Sequence, residues 1–101
     1  MIEEVTVPET KHRYVCTCFW ASWCPSCSRL LPELERSRTE FLEFEFEMID
    51  IDEFPDNIEQ FDLFVLPTII ISIDNEMKTR LIGYSPELLT NALNVARQSI
   101  T

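Results

Sequence analysis

The sequence predicts an α/β fold in which a mixed β-sheet carries helices on both of its faces. Two observations lead to this fold class. Short apolar segments typical of strands alternate with longer segments whose apolar residues recur at helical spacing. Their order, with helices between strands and a strand pair before the last helix, is typical of a layered α/β sandwich. The 101 residues, 46% of them hydrophobic, are enough for one core, so residues 1–101 are expected to form a single domain.

Two strands are predicted before the first helix. Ile2–Val7 is a plausible edge strand that ends before Pro8. Tyr14–Trp20 is rich in strand-forming residues and apolar on both faces, which places it at the centre of the sheet. The few residues between the two strands cannot form a crossover helix, so a loop or a single turn is expected there.

A long helix is predicted after Ser22, because the spacing of apolar residues changes there and charged residues occupy the opposite side. Pro32 lies inside this helix and is expected to bend it. The stripe that faces the core contains Leu30, Leu34, Ser37 and Phe41.

The second half of the chain contains four further elements before the last helix. Glu43–Asp52 is predicted as a strand and Asp56–Phe64 as a short helix. Thr68–Ile73 and Lys78–Ile82 are predicted as an antiparallel strand pair, because Asp74-Asn75 between them is a turn signal.

The last helix has the clearest start signal in the sequence. Ser85 can cap it, Pro86 suits its first position, and Glu87 lies near the positive end of its dipole. One apolar face is expected along it, formed by Leu88, Leu89, Ala92, Leu93 and Ala96.

The charge distribution limits the classes of partner. The net charge is −10, and residues 33–62 hold twelve acidic residues against only Arg36 and Arg38, so nucleic acid is not expected to bind. The acidic segment is interpreted as a solvated face, with a surface that docks basic partners as the alternative. The N-terminus lacks the basic residues of a secretory signal and no apolar run reaches membrane-spanning length, so a cytoplasmic protein with no membrane partner is expected.

The cysteines carry the chemistry. Four of them lie between positions 16 and 27, and in a cytoplasmic protein such a group indicates catalysis or metal binding. Cys24-Pro25-Ser26-Cys27 follows a buried strand and opens a helix. A thiolate at a helix N-terminus is stabilised by unpaired N–H groups and the helix dipole, so Cys24 is predicted as the nucleophile. Cys27, one turn further on and less exposed, is predicted to resolve the mixed disulfide.

The segment Phe19–Cys27 (FWASWCPSC) resembles the active site of the thioredoxin family. Pro32 matches the proline in that family's active-site helix, Leu66-Pro67-Thr68 matches its cis-proline loop, and Gly83 matches a glycine of its substrate groove. The resemblance implies a thioredoxin-like three-layer sandwich in which the N-terminal helix is shortened or missing. It also implies a protein disulfide oxidoreductase that needs no cofactor or metal.

The resemblance further implies which residues and partners take part. The residues expected to contact an extended segment of a partner are Trp23, Pro25, Val65, Leu66, Pro67 and Gly83. The expected partners are protein disulfides and a thioredoxin-reductase-like electron donor. The chain is expected to act as a monomer in electron transport and in redox homeostasis of the cell.

Four positions depart from the family pattern. Pro25-Ser26 stands where Gly-Pro is usual, so the redox potential and the direction of exchange stay open. Cys18 replaces a buried carboxylate that the family places before the Phe-Trp pair, and Met48 replaces a lysine near it. Cys18 and Trp20 are therefore expected to modulate the site.

The sequence leaves two alternatives to the redox pair. In the first, the four thiols of Cys16, Cys18, Cys24 and Cys27 bind zinc or an iron–sulfur cluster. This is disfavoured because Cys16 and Cys18 lie on a strand that reads as buried, where small hydrophobic core residues are expected. In the second, the chain is a binding module that keeps the fold but has little turnover.

Overall fold

The computed structural model describes residues 13–83 and 85–98. The predicted strand Ile2–Val7, the connection after it and the predicted loss of an N-terminal helix lie outside these residues. The described elements are, in chain order, β1 (Tyr14–Trp20), α1 (Pro25–Glu40), β2 (Phe44–Asp50), α2 (Asp56–Gln60), β3 (Thr68–Ile73), β4 (Glu76–Ile82) and α3 (Pro86–Gln98).

The four described strands form one mixed sheet in the order β2-β1-β3-β4. β1 is parallel to β2 on one side and antiparallel to β3 on the other, which confirms the predicted central position of β1. β3 and β4 pair antiparallel, also as predicted. The turn between them holds Asp74 and Asn75 at φ values of 55° and 68°. Asp and Asn tolerate this left-handed region, which a two-residue hairpin requires at both positions.

Two apolar clusters cover the two faces of the sheet, which confirms the predicted layers. On one face, Cys16 and Cys18 of β1 pack with buried residues of α1 and α3 such as Leu34 and Leu93. On the other face, Phe19 packs at 5.0 Å, centroid to centroid, against Phe61 at the end of α2. This alternation follows from the period of two along a strand.

Helix α1 positions the cysteine pair at its N-terminus. Its predicted core stripe is confirmed, because Leu30, Leu34, Ser37 and Phe41 are all buried. Pro25 occupies its first turn and Pro32 lies inside it, as predicted. The buried stripe fixes the rotation of α1 against the sheet and therefore fixes where the first turn points.

The structure corrects the predicted length of α2. The helix ends at Gln60 and does not reach Phe64. Asp62 has a φ of 54°, in the left-handed region, which ends the helical path there. The following residue, Leu63, is buried and donates its backbone N–H to the carbonyl of Ile58 at 2.9 Å. Phe64–Leu66 therefore form a loop.

Helix α3 has the predicted start but a narrower apolar face. The backbone N–H of Leu88 donates to Ser85 Oγ at 3.3 Å, which is the expected cap. Leu89 and Leu93 are buried, whereas 53% of Leu88 is exposed, so its predicted place on the apolar face was wrong. Successive helical residues point about 100° apart, so Leu88 lies off the stripe that Leu89 occupies.

Candidate active site

Cys24 lies between the end of β1 and the first turn of α1. A tight turn brings its backbone N–H to 3.2 Å from the carbonyl of Ala21. Cys24 then takes the N-cap position with extended dihedrals (φ −98°, ψ 111°), and its Sγ accepts a hydrogen bond from the Cys27 N–H at 3.2 Å. The sulfur thus lies against the unpaired donors of a helix N-terminus, where negative charge is favoured.

Cys27 lies one turn further along α1 and is the more buried of the pair. Its exposure is 1%, against 7% for Cys24. Burial, and next the hydrogen bond with Cys24, raise the pKa of Cys27 to about 12. Cys27 is therefore held as a neutral thiol near neutral pH, while Cys24 lies closer to solvent.

The loop before β3 borders the Cys24 sulfur. The Leu66–Pro67 peptide bond is cis, as predicted. The Cys24 thiol donates to the carbonyl of Leu66 at a sulfur–oxygen distance of 3.7 Å. The N–H of Gly83 donates to the Pro67 carbonyl at 2.8 Å, and the hydroxyl of Thr68 donates to the Val65 carbonyl at 2.6 Å. The structure therefore brings Leu66, Pro67 and Gly83 to the cysteine pair, although they are distant from it in sequence.

The predicted contact residues differ in accessibility. Trp23 is 64% exposed and Val65 is 49% exposed. Pro25 is also exposed, and Leu66 and Gly83 are partly buried. Pro67 is fully buried, so its ring is not available to a partner.

Cys16 and Cys18 lie in the core on the α1 and α3 side of the sheet, and they are not exposed. Burial raises the pKa of each to about 12, and for Cys18 the nearby thiols of Cys16, Cys27 and Cys24 act in the same direction. Met48 lies opposite Cys18 in the register between β1 and β2. Trp20 packs against both clusters, the second of which contains Cys24 and Cys27.

The four cysteines belong to two apolar clusters: Cys16 and Cys18 to the one that contains residues of α1 and α3, and Cys24 and Cys27 to the one that contains Phe19. Over residues 13–83 and 85–98, no group of three or more His, Cys, Asp or Glu side chains is placed to hold a metal ion. Of the helices described, none combines the length and apolarity needed to cross a membrane.

Several residues beside the site were not identified from the sequence. Trp23 Nε1 donates to Asp52 Oδ2 at 3.0 Å, which ties the indole to the turn after β2. Phe54 on the same turn is 55% exposed, and Phe64, two residues before Leu66, is 87% exposed. Consecutive apolar residues Phe64-Val65 in front of Leu66-Pro67 were the signal available for Phe64. No sequence signal distinguished Asp52 from the other carboxylates around it.

The sequence profile of the thioredoxin family matches residues 4–94 of the chain. The chain belongs to the thioredoxin family. It is 35% identical to the thioredoxin of Listeria monocytogenes over 92 residues, which cover 86% of this chain and 89% of the bacterial protein. The crystal structure of thioredoxin from Trypanosoma brucei brucei is similar with a TM-score of 0.81 and 26% identity, over 85% of this chain and 76% of that one. That of a poplar thioredoxin h gives a TM-score of 0.83 at 23% identity, over 87% and 79% of the two chains, and shows the shared fold alone.

Membership of the thioredoxin family makes the chain a thiol–disulfide oxidoreductase. Cys24 and Cys27 provide the C-x-x-C pair that this chemistry requires, and they contact each other in the first turn of α1. The thioredoxin fold also explains the mixed sheet with its layers of helices.

Proposed function

We propose that Cys24 is the attacking thiol and Cys27 the resolving thiol in a reversible exchange with protein disulfides. The observation that carries this assignment is the hydrogen bond from the Cys27 N–H to Cys24 Sγ, 3.2 Å long, at the N-terminus of a 16-residue helix. This bond fixes Cys24 Sγ at the start of the helix, where Cys24 is the more exposed of the two cysteines, at 7% against 1% for Cys27. At Cys27, burial and next the hydrogen bond with Cys24 outweigh the backbone hydrogen bonds and raise the pKa of this thiol to about 12.

The exchange proceeds in two balanced steps. The Cys24 thiolate attacks one sulfur of the partner's disulfide, the partner's S–S bond breaks, and its second sulfur leaves as a thiolate that takes up a proton. Cys27 then loses its proton and attacks Cys24 Sγ, which releases the partner's first sulfur as a thiol. The partner's disulfide is reduced by two electrons, and Cys24–Cys27 is oxidised to a disulfide.

The groove around Cys24 supports a peptide-like partner. Trp23 and Pro25 flank Cys24 in sequence, and the carbonyl of Leu66, which follows Val65, lies 3.7 Å from its sulfur. Pro67 is buried and shapes the loop through its backbone, which Gly83 holds by its N–H. An extended segment of the partner would lie between Val65 and Gly83, with its cysteine sulfur facing Cys24.

The remaining assignments also belong to this proposal. The chain acts as a monomer and as one domain over residues 1–101, in the cytoplasm, and serves electron transport and redox homeostasis. Its electron donor is a thioredoxin-reductase-like dithiol, which would attack the Cys24–Cys27 disulfide by the same chemistry and leave as a disulfide itself.

The test is a trapping experiment with matched serine variants. Cys27→Ser keeps the attacking thiol and removes the resolving one, so it should accumulate a mixed disulfide with a disulfide substrate such as insulin. Cys24→Ser should accumulate none, because the three remaining thiols are buried and protonated near neutral pH. Mass spectrometry of the acid-quenched mixture locates the bond. If Cys24→Ser trapped the substrate as well as Cys27→Ser, the two roles would be wrong.

A turnover measurement separates catalysis from binding alone. Wild type should reduce insulin repeatedly when a dithiol recharges it, and neither serine variant should. A wild type that traps substrate but does not turn over would be a binding module.

A further inference from the structure

Two exposed aromatic side chains, Phe54 and Phe64, accompany the predicted contact residues Trp23 and Val65. Phe64 is 87% exposed, Trp23 64%, Phe54 55% and Val65 49%. These four side chains form the apolar surface. Trp23 directly precedes Cys24, and Val65 directly precedes Leu66, whose carbonyl lies 3.7 Å from Cys24 Sγ. A partner whose sulfur reaches Cys24 therefore passes Trp23 and Val65, the members of the apolar surface adjacent in sequence to Cys24 and Leu66.

Phe64 is held outward by its backbone. Its N–H donates to the Asp62 carbonyl at 3.1 Å, and Arg80 Nη2 donates to the same carbonyl at 2.7 Å. On its N-terminal side, Leu63 is buried and anchored to Ile58. The loop is thus fixed before a partner arrives, which lowers the conformational entropy lost on binding. Exposed apolar side chains on a rigid loop are typical of an interaction surface.

The apolar surface is bordered by carboxylates. The segment from Asp52 to Asp62 carries five exposed acidic residues and no Lys or Arg. Asp52 is attached to the apolar surface directly through its hydrogen bond with Trp23. The five acidic residues are Asp52, Glu53, Asp56, Glu59 and Asp62.

Five basic residues elsewhere form ion pairs with other carboxylates. The pairs are Arg13 with Glu45, Arg36 with Glu33, Arg38 with Glu35, Lys78 with Glu76, and Arg97 with Glu43. All five of these glutamates lie outside the segment from Asp52 to Asp62. Arg80 binds the Asp62 backbone carbonyl, but none of these five ion pairs neutralises a carboxylate of the segment.

We propose that the apolar surface and its carboxylate border select one kind of partner disulfide. In such a partner, an apolar side chain lies next to the reactive cysteine, and Lys or Arg residues flank this pair in the sequence. The proposal rests on the proposed function, because it uses the same Cys24 as the point of exchange. The apolar side chain would pack against Phe64 and Trp23, where aromatic contacts contribute most of the binding energy of an interface. The basic residues would meet the carboxylates and accelerate encounter.

The experiment measures the second-order rate constant with which the fully reduced protein reduces defined disulfides, so that no reductase is needed. The probes are two cystine peptides with Leu next to the cysteine, one flanked by Lys and one by Glu, and the neutral hydroxyethyl disulfide. At about 20 mM salt the Lys-flanked peptide should react at least tenfold faster than the Glu-flanked one. At about 0.5 M salt the ratio should fall towards one, because exposed charges are then screened.

Matched variants separate a local effect from the net charge of the chain. Glu53→Gln/Asp56→Asn removes two charges beside the apolar surface, and Glu40→Gln/Glu87→Gln removes two exposed charges on α1 and α3. The first pair should lower the Lys-to-Glu rate ratio several-fold at low salt, and the second should lower it less. Phe64→Ala should slow both peptides by about tenfold and leave hydroxyethyl disulfide unchanged. Leu42→Ala, which removes an 81% exposed side chain at the far end of α1, should change none of the rates.

The outcomes distinguish this proposal from the proposed function. If hydroxyethyl disulfide is reduced through Cys24 but the two peptides react equally fast, the docking proposal is wrong and the oxidoreductase assignment stands. Equal effects of the two charge-removing pairs would also overturn it, since net charge alone would then explain the preference. A failure to reduce any of the three probes would overturn the proposed function itself. Dimerisation that Phe64→Ala abolishes, seen by sedimentation, would show that a second copy occupies the surface instead.

Discussion

Within the described part of the chain, no carboxylate or histidine is among the groups that shift the pKa of Cys27. Its pKa is raised to about 12, first by burial and then by the hydrogen bond with Cys24. The pKa of Cys18, which lies close enough to these thiols for their charges to affect it, is likewise raised to about 12 by burial. A group with such a pKa holds its proton near pH 7 and accepts none. Resolution of a mixed disulfide must therefore begin with loss of the Cys27 proton to water.

The first prediction follows from this raised pKa. Because the thiolate of Cys27 is the attacking form, the resolving rate should rise about tenfold per pH unit between about pH 6 and pH 9, well below the pKa. Cys18→Asp should increase the rate near pH 7 by at least about tenfold, since a carboxylate near Cys27 can accept its proton. Stopped-flow measurement of partner release from the mixed disulfide gives the rate in both proteins.

Cys18→Ala is the control for this prediction. It removes the thiol without adding a base, so its rate and pH dependence should match wild type. The explanation fails if wild type resolves near pH 7 as fast as Cys18→Asp. It also fails if Cys18→Ala is much slower than wild type, because Cys18 would then take part directly.

At the scale of single residues, the sequence located the cysteine pair but not all of its neighbours. Cys24 and Cys27 could be placed because a helix start next to a strand is a local pattern. The hydrogen bond between Trp23 and Asp52 joins residues 29 positions apart. It depends on how the turn after β2 approaches the turn after β1, and no local pattern encodes that approach.

Helix α3 offers a direct test of how the elements pack. Leu89 is 1% exposed and contributes to the cluster shared with α1, whereas its neighbour Leu88 is 53% exposed. Leu89→Ala should lower the free energy of unfolding by about 2–5 kcal/mol, because it opens a cavity in that cluster. Leu88→Ala should lower it by only about 0.5 kcal/mol, since little apolar area is lost from the core. Urea unfolding of both variants measures the difference.

The two substitutions form a matched pair, because they remove the same atoms from adjacent positions of one helix. Equal losses of stability would contradict the packing of α3 described here. The sequence alone predicted both leucines on one apolar face. Helical spacing shows where the centre of such a face lies but does not show how wide the buried part is, so the exposure of Leu88 could not be predicted.

Element lengths were predicted best where a local signal defines both ends. Thr68–Ile73 is confirmed at both bounds, because cis-Pro67 precedes it and the Asp74-Asn75 turn follows it. The short helix α2 was predicted too long. Its end depends on the left-handed Asp62 and on Arg80, whose guanidinium binds the Asp62 carbonyl from β4. Such a contact exists only once the sheet has formed.

On the scale of the whole molecule, the fold brings three separate segments to one thiol. Cys24 follows the end of β1, Leu66 lies in the loop before β3, and Gly83 follows β4 and donates its N–H to the Pro67 carbonyl. β3 pairs antiparallel with both β1 and β4. The C-terminal ends of β1 and β4 therefore lie beside the N-terminal end of β3, at one end of the strands. The sequence predicted this assembly through its resemblance to the thioredoxin family, since periodicity alone gives the elements but not their order in the sheet.

The central claim is that Cys24 and Cys27 alone form the reversible disulfide. The most direct measurement equilibrates the protein in glutathione buffers of graded redox potential, quenches it with acid, unfolds it and alkylates the free thiols. All four cysteines fall on the tryptic peptide that spans residues 14–29, so fragment ions must locate the bond within it. The result expected is one transition in which Cys24 and Cys27 become linked while Cys16 and Cys18 stay free to be alkylated. A disulfide that includes Cys16 or Cys18, or no disulfide at any potential, would contradict the account.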